Sequence, residues 1–127
     1  MAPVHTAFGV TTGVVLALVA AACHHSSQRI SLDNSSNGQT LSVAPGDEID
    51  ITLQTIGPGE YQAPVVSSGS VRFLGESAAG PPNPGGLRQL FRFEAVTVGR
   101  AEIRISHTSL DPPSLQTPPF VIVVDVR

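Results

Sequence analysis

Residues 85–106 read GGLRQLFRFEAVTVGRAEIRIS, and the fold class follows from their alternation. Phe91, Phe93 and Ala95 alternate with Arg92 and Glu94, and Ala101, Ile103 and Ile105 alternate with Arg100, Glu102 and Arg104. A period of two with the charges on one side marks antiparallel strands whose other face is buried. Between them Thr97-Val98-Gly99 ends in glycine, a residue that takes the positive φ of tight turns. The stretch is expected to be a hairpin to which the rest of the chain adds strands and loops.

Working outward, residues 107–119 form a proline-broken loop, and FVIVVDV at 120–126 is a β-branched closing strand. Upstream, the loop SAAGPPNPGGL at 77–87 follows strands expected at 64–68 and 71–76, which are separated by a turn at Gly69. Before them come the loop IGPGEYQA at 56–63 and a strand at 47–55 with Ile49, Ile51 and Leu53 inward. The turn Ala44-Pro45-Gly46 and a short strand through Leu41 and Val43 open the domain. The expectation is an all-β, seven-stranded immunoglobulin-like antiparallel sandwich over residues 40–127.

Connection lengths then alternate short, long, short, long, short, long. If successive strands run up and down, connections of one parity share an end. The tight turns at Pro45, Gly69 and Gly99 gather at one pole, and the long loops around Pro58, Pro82 and Pro112 gather at the other. Binding residues on rigid sandwiches usually sit on such loops.

Composition excludes several classes. Seven arginines, no lysine and ten acidic residues give a net charge of −3 over 127 residues. The arginines are scattered along strands, so nucleic acid is not an expected partner. Twelve glycines and eleven prolines, with no long helical period, favour turn-rich β structure. Asp47, Glu48 and Asp50 form an acidic cluster, but alternation turns Glu48 and Asp50 to solvent, so a solvated strand face is expected rather than a calcium site.

Residues 7–22, AFGVTTGVVLALVAAA, are an uncharged apolar run that ends at Cys23. A membrane span needs about 20 apolar residues, so an export segment is the better reading. Ala20, Ala21 and Ala22 before the cysteine resemble a bacterial lipoprotein lipobox, which implies that Cys23 is acylated and becomes the mature N-terminus. A plain cleaved signal and an uncleaved anchor helix are the alternatives. Cys23 is the only cysteine, so the domain has no internal disulfide and must be held by its apolar core. Residues 24–39, HHSSQRISLDNSSNGQ, read as a flexible tether, with Ile30 and Leu32 as a loose edge strand at most. His24 and His25 lack the further ligands a metal site needs.

The runs GDEIDITL at 46–53 and FRFEAVTVGRAEIRI at 91–105 resemble bacterial immunoglobulin-like domains, and more narrowly the chagasin-type cysteine-peptidase inhibitors, over most of residues 41–126. In that family three loops at one pole wedge into a peptidase cleft through Asn-Pro-Thr-Thr-Gly-Tyr, Gly-x-Gly-Gly and Arg-Pro-Trp motifs. The first position here reads Ile56-Gly57-Pro58-Gly59-Glu60-Tyr61, the second Asn83-Pro84-Gly85-Gly86, and the third lies near His107-Thr108-Ser109. A glycine and the tyrosine remain in the first and the paired glycines in the second. The third motif is missing, and the chain has no tryptophan.

Catalysis finds little support. His107, Asp111 and the nearby Ser106 or Ser109 have the residue types of a hydrolase triad but sit in one loop without a nucleophile elbow. No phosphate loop, dinucleotide fingerprint or paired zinc ligands occur, and no cofactor is expected. The sequence favours a non-catalytic, envelope-anchored interaction module on the periplasmic or cell-surface side, with a secreted form as the alternative. Its partners would be the membrane, through acylated Cys23, and another envelope protein or a peptidase. An inhibitor of papain-type cysteine peptidases with diverged loops is the second reading. The candidate contacts are Pro58, Gly59, Glu60, Tyr61, Asn83, Pro84, Gly85, Gly86, His107 and Thr108. Tyr61, the only aromatic in these loops, is either the anchor of the binding surface or a packing residue folded back onto the sandwich.

Cells fed a labelled fatty acid should incorporate the label into the chain, and Cys23→Ala should abolish it. Label that survives the substitution, or an intact N-terminus by mass spectrometry, would contradict acylation.

Overall fold

The computed structural model describes residues 26–80 and 86–127. The apolar run, Cys23, His24, His25, Asn83, Pro84 and Gly85 lie outside the described residues. In chain order the strands are β1 Arg29–Asp33, β2 Thr40–Val43, β3 Glu48–Gln54, β4 Glu60–Tyr61, β5 Val65–Val66, β6 Val71–Ala78, β7 Arg88–Ala95, β8 Gly99–Ile105, β9 His107–Thr108 and β10 Phe120–Val126. One sheet has the order β1-β3-β7-β6, the other β2-β10-β8-β5, and β4 pairs with β9 alone.

Alternation assigns the strand faces correctly. Ile49, Ile51, Leu53, Phe91, Phe93, Ala95, Ala101, Ile103, Ile105, Ile122 and Val124 are all at most 1% exposed and form one core. Each lies on the inner face of its strand, so the two sheets close over a single apolar layer. Val43, Val71, Phe120, Val126 and Tyr61 complete it.

Four expectations are corrected. Residues 85–106 are not a hairpin, because β7 and β8 belong to different sheets. The turn after Ala95 arches across the sandwich, so the two apolar faces meet each other instead of lying side by side. A period of two is common to both arrangements. The sheets are also not wholly antiparallel: β1 pairs with β3, and β2 with β10, in parallel. The chain crosses between sheets at residues 34–39 and reverses there, so β1 and β2 run in opposite directions in opposite layers.

Among the described residues ten strands stand where seven were expected: β4 and β9 were unforeseen, and the edge strand allowed at Ile30 and Leu32 is the paired β1. The tether expected at 24–39 holds β1, in register with β3 over five residues, with Ile30 and Leu32 packed on the core. The ordered domain therefore begins ahead of Thr40.

Asp47 corrects a finer point. It is 2% exposed, and its carboxylate accepts from Gln28 N and Ala44 N, both at 2.9 Å. Charge-assisted bonds from backbone N–H groups compensate its burial. The same carboxylate ties the start of β1 to the turn that opens β3.

The parity argument holds. Gly46 N donates to Ala95 O, Ala95 N to Asp47 O and Val96 N to Ser70 O, so the three tight turns meet at one pole. At the other pole Thr55 N donates to Leu87 O, and β4 pairs with β9.

Phe93 is fully buried, with Phe73 tilted against it at a centroid distance of 5.3 Å. Phe93→Ala should cost about 3–5 kcal/mol, enough to unfold much of a marginal domain. Thermal denaturation checks this, and an unchanged melting temperature would contradict the face assignment.

Candidate functional site

Three loops converge at the pole opposite the tight turns. Two glycines permit their close approach. A Cβ on Gly59 (φ 110°) would stand 2.4 Å from Thr108 O, and one on Gly86 (φ 149°) would stand 2.0 Å from Thr55 O. Any side chain at either position would push two loops apart. An open groove of about 450 Å³ lies between them, lined by Pro58, Gly59, Glu60, Leu87, Thr108 and Leu110, among others. Of the sequence-predicted residues, Pro58, Gly59, Glu60 and Thr108 are brought together here, and Gly86 buttresses them from behind.

Tyr61 is not part of the exposed surface. It is 4% exposed, and its ring packs edge-on against His107 at 5.0 Å. Its hydroxyl accepts from Asn34 Nδ2 at 3.2 Å. Burial pushes the phenol above its ordinary value of 10.0, with the Asn34 bond opposing. Of the two roles weighed for Tyr61, packing against the sandwich is the one observed and the exposed anchor is not: facing inward is what one apolar ring with a single bonded polar tip favours. His107 is also largely withdrawn, and both of its ring nitrogens are buried without hydrogen-bond partners among the described residues. Ser109 Oγ bonds Asp111 Oδ2 at 3.2 Å, but no imidazole nitrogen joins them, so the triad residue types are not arranged as a triad. Among the described residues no group of three or more His, Cys, Asp or Glu is placed to hold a metal ion.

Sequence reasoning missed Gln89. Its side chain is buried in β7 and bonds the Tyr61 backbone like a neighbouring strand, with Tyr61 N donating to Oε1 at 2.8 Å and Nε2 donating to Tyr61 O at 2.9 Å. Nε2 also donates to Glu76 Oε1 at 2.6 Å. This carboxamide supplies β4 with partners on the side away from β9. The only signal was a polar residue on the inward side of an otherwise apolar strand.

Two aliphatic side chains stand exposed at this pole beside the polar Glu60, Gln62 and Thr108. Ile56 is 86% exposed and Leu110 fully exposed. The loop behind Leu110 is braced: Asp111 N donates to Ser109 Oγ at 3.2 Å, Gln116 Nε2 to Asp111 O at 3.1 Å and Leu115 N to Pro112 O at 2.8 Å. Leu110 thus stands out from a turn with its own internal bonds.

No family model matches the chain, and no curated protein sequence matches it. Among solved structures, the chain is similar to the crystal structure of the cysteine protease inhibitor EhICP2 from Entamoeba histolytica, with a TM-score of 0.64 and 15% identity, over 80% of this chain and 97% of that one. The solution structure of amebosin aligns over 80% of this chain and 99% of its own, at 16% identity and a TM-score of 0.48. At such identities the likeness to EhICP2 is one of fold.

Gln89→Leu keeps the volume but leaves the Tyr61 N–H and C=O unpaired in the interior. It should cost about 2–4 kcal/mol, from two groups at roughly 1–3 each with partial relief by water. Amide exchange should show the Tyr61 N–H opening well before the β3 and β7 core amides. Unchanged exchange at Tyr61 would contradict the bracing role.

Proposed function

We propose that this chain is a non-catalytic inhibitor of papain-type cysteine peptidases that uses the long-loop pole. The observation that carries the reading is the convergence of Pro58, Gly59 and Glu60, Leu87, and Thr108 to Leu110 at one end of a sandwich similar in fold to a known cysteine protease inhibitor. This reverses the order of the two readings drawn from sequence, in which an interaction module of unspecified partner stood first. The missing tryptophan and the buried Tyr61 move the contact chemistry onto exposed aliphatic side chains of this pole, Leu110 in the lining of the groove and Ile56 just past the end of β3. Apolar side chains on a pre-organised loop lose little conformational freedom on docking, which favours affinity. The reading keeps the chain at the cell envelope, supported by the apolar run and Cys23.

The purified chain should slow a papain-like peptidase at micromolar concentration and remain uncleaved. Leu110→Asp, at a fully exposed site, should leave the melting temperature unchanged and weaken inhibition about tenfold or more, as expected for a central contact worth at least 1.4 kcal/mol. No inhibition by the parent chain would overturn the proposal and restore the general interaction module.

A further inference from the structure

We propose that the tight-turn pole rests against a membrane surface, so that the loop pole points away from it. The chain enters the fold at this pole. Ser27 Oγ lies 3.2 Å from where a Cβ on Gly46 would stand, Gln28 N donates to Asp47 Oδ1 at 2.9 Å, and Glu48 N donates to Gln28 O at 2.8 Å. Cys23 precedes Ser27 by four residues, and four residues of extended chain span roughly 14 Å at most. An anchor at Cys23, or in the apolar run of residues 7–22, therefore keeps this pole close to the bilayer, whichever of the two holds the chain.

Two features of the pole suit a lipid surface. The turn between β7 and β8 presents Val96 and Val98, the latter 72% exposed. Small aliphatic tips of this kind enter the headgroup boundary with little desolvation cost. Around them stand four of the seven arginines. Arg29, Glu48, Glu94 and Arg72 share the end rung of one sheet, Arg100 faces Asp125 in the other, and Arg127 N donates to Val43 O. All four arginine side chains are more than half exposed. Arg29, Arg72 and Arg100 are bonded to Glu48, Glu94 and Asp125, so the pole carries no field of net positive charge, and only the guanidinium N–H groups outside those pairs are left to meet lipid phosphates. The groove at the far pole has Glu60 and no arginine in its lining. Exposed aliphatic side chains, Ile56 and Leu110, also stand at the far pole, so it is the point of chain entry that assigns the bilayer to the first.

The chain contains no tryptophan, so one introduced at an exposed site reports its own surroundings. Val98→Trp and Leu110→Trp would be made in the full chain and reconstituted into vesicles of phosphatidylethanolamine and phosphatidylglycerol carrying brominated acyl chains. Emission of the Val98→Trp chain should shift to the blue and be quenched several-fold more than that of the Leu110→Trp chain, which should emit as in water. Equal quenching, stronger quenching at position 110, or a chain that does not stay with the vesicles would overturn the proposal. So would a blue shift at 98 without bromine quenching and with a doubled particle mass, which would make a second copy the occupant.

Discussion

Ile49, Ile51, Leu53, Phe91, Phe93 and Ala95 of one sheet close against Ala101, Ile103, Ile105, Ile122 and Val124 of the other, and this apolar contact holds the domain. No disulfide can reinforce it, because the chain has a single cysteine. The exposed arginine–carboxylate pairs add little to stability, since solvent screens them. What does reinforce the contact is connectivity. Each tight turn leads from one sheet to the other: β2 to β3, β5 to β6 and β7 to β8. The layers are stitched together along one edge by covalent chain, and backbone hydrogen bonds among the three turns tie the stitches to each other.

Stitching at one pole has a consequence at the other. Of the long connections there, β3 to β5 changes sheet while β6 to β7 and β8 to β10 return within one sheet, and their extra residues carry backbone polar groups that need partners the main sheets do not supply. The molecule provides them locally. β4 and β9 pair with each other, the Gln89 carboxamide stands in for a missing strand beside Tyr61, and the Asn34 side chain bonds both the Gln54 backbone and the Tyr61 hydroxyl. The loop pole is thus held by the Gln89 and Asn34 side chains together with the β4–β9 pairing, while the His107 ring nitrogens and the Thr55 hydroxyl stay without partners among the described residues.

Much of this could be read from sequence, and the parts that could not share a cause. Strand faces were legible because burial of one face imposes a period of two on residues such as Phe91, Phe93 and Ala95. The gathering of loops at one pole was legible because it needs only strand reversal. Whether β7 and β8 pair or arch was not, since either arrangement buries the same alternate residues. β1 was legible only as a loose edge strand at Ile30 and Leu32, because its firm pairing with β3 depends on partners 19 residues away, as Arg29 with Glu48 illustrates. Asp47, Gln89 and Tyr61 owe their roles to contacts across 19 to 28 positions, which local pattern does not encode.

The parallel pairing of β1 with β3 also fixes which end of the sandwich an N-terminal anchor can hold. β3 starts at the tight-turn pole, just after Gly46, and a parallel neighbour must start there too. Had the first strand paired antiparallel, the chain would enter among the long loops, and a short tether would press the groove, Ile56 and Leu110 toward the bilayer. A peptidase could not then reach them. With β1 parallel, the sandwich becomes a spacer one strand-length tall: seven residues of β3 at about 3.4 Å each lift the loops roughly 24 Å from the anchored end. The proposed anchorage and the proposed peptidase contact of the loops are compatible in this chain because its first strand runs the same way as the third.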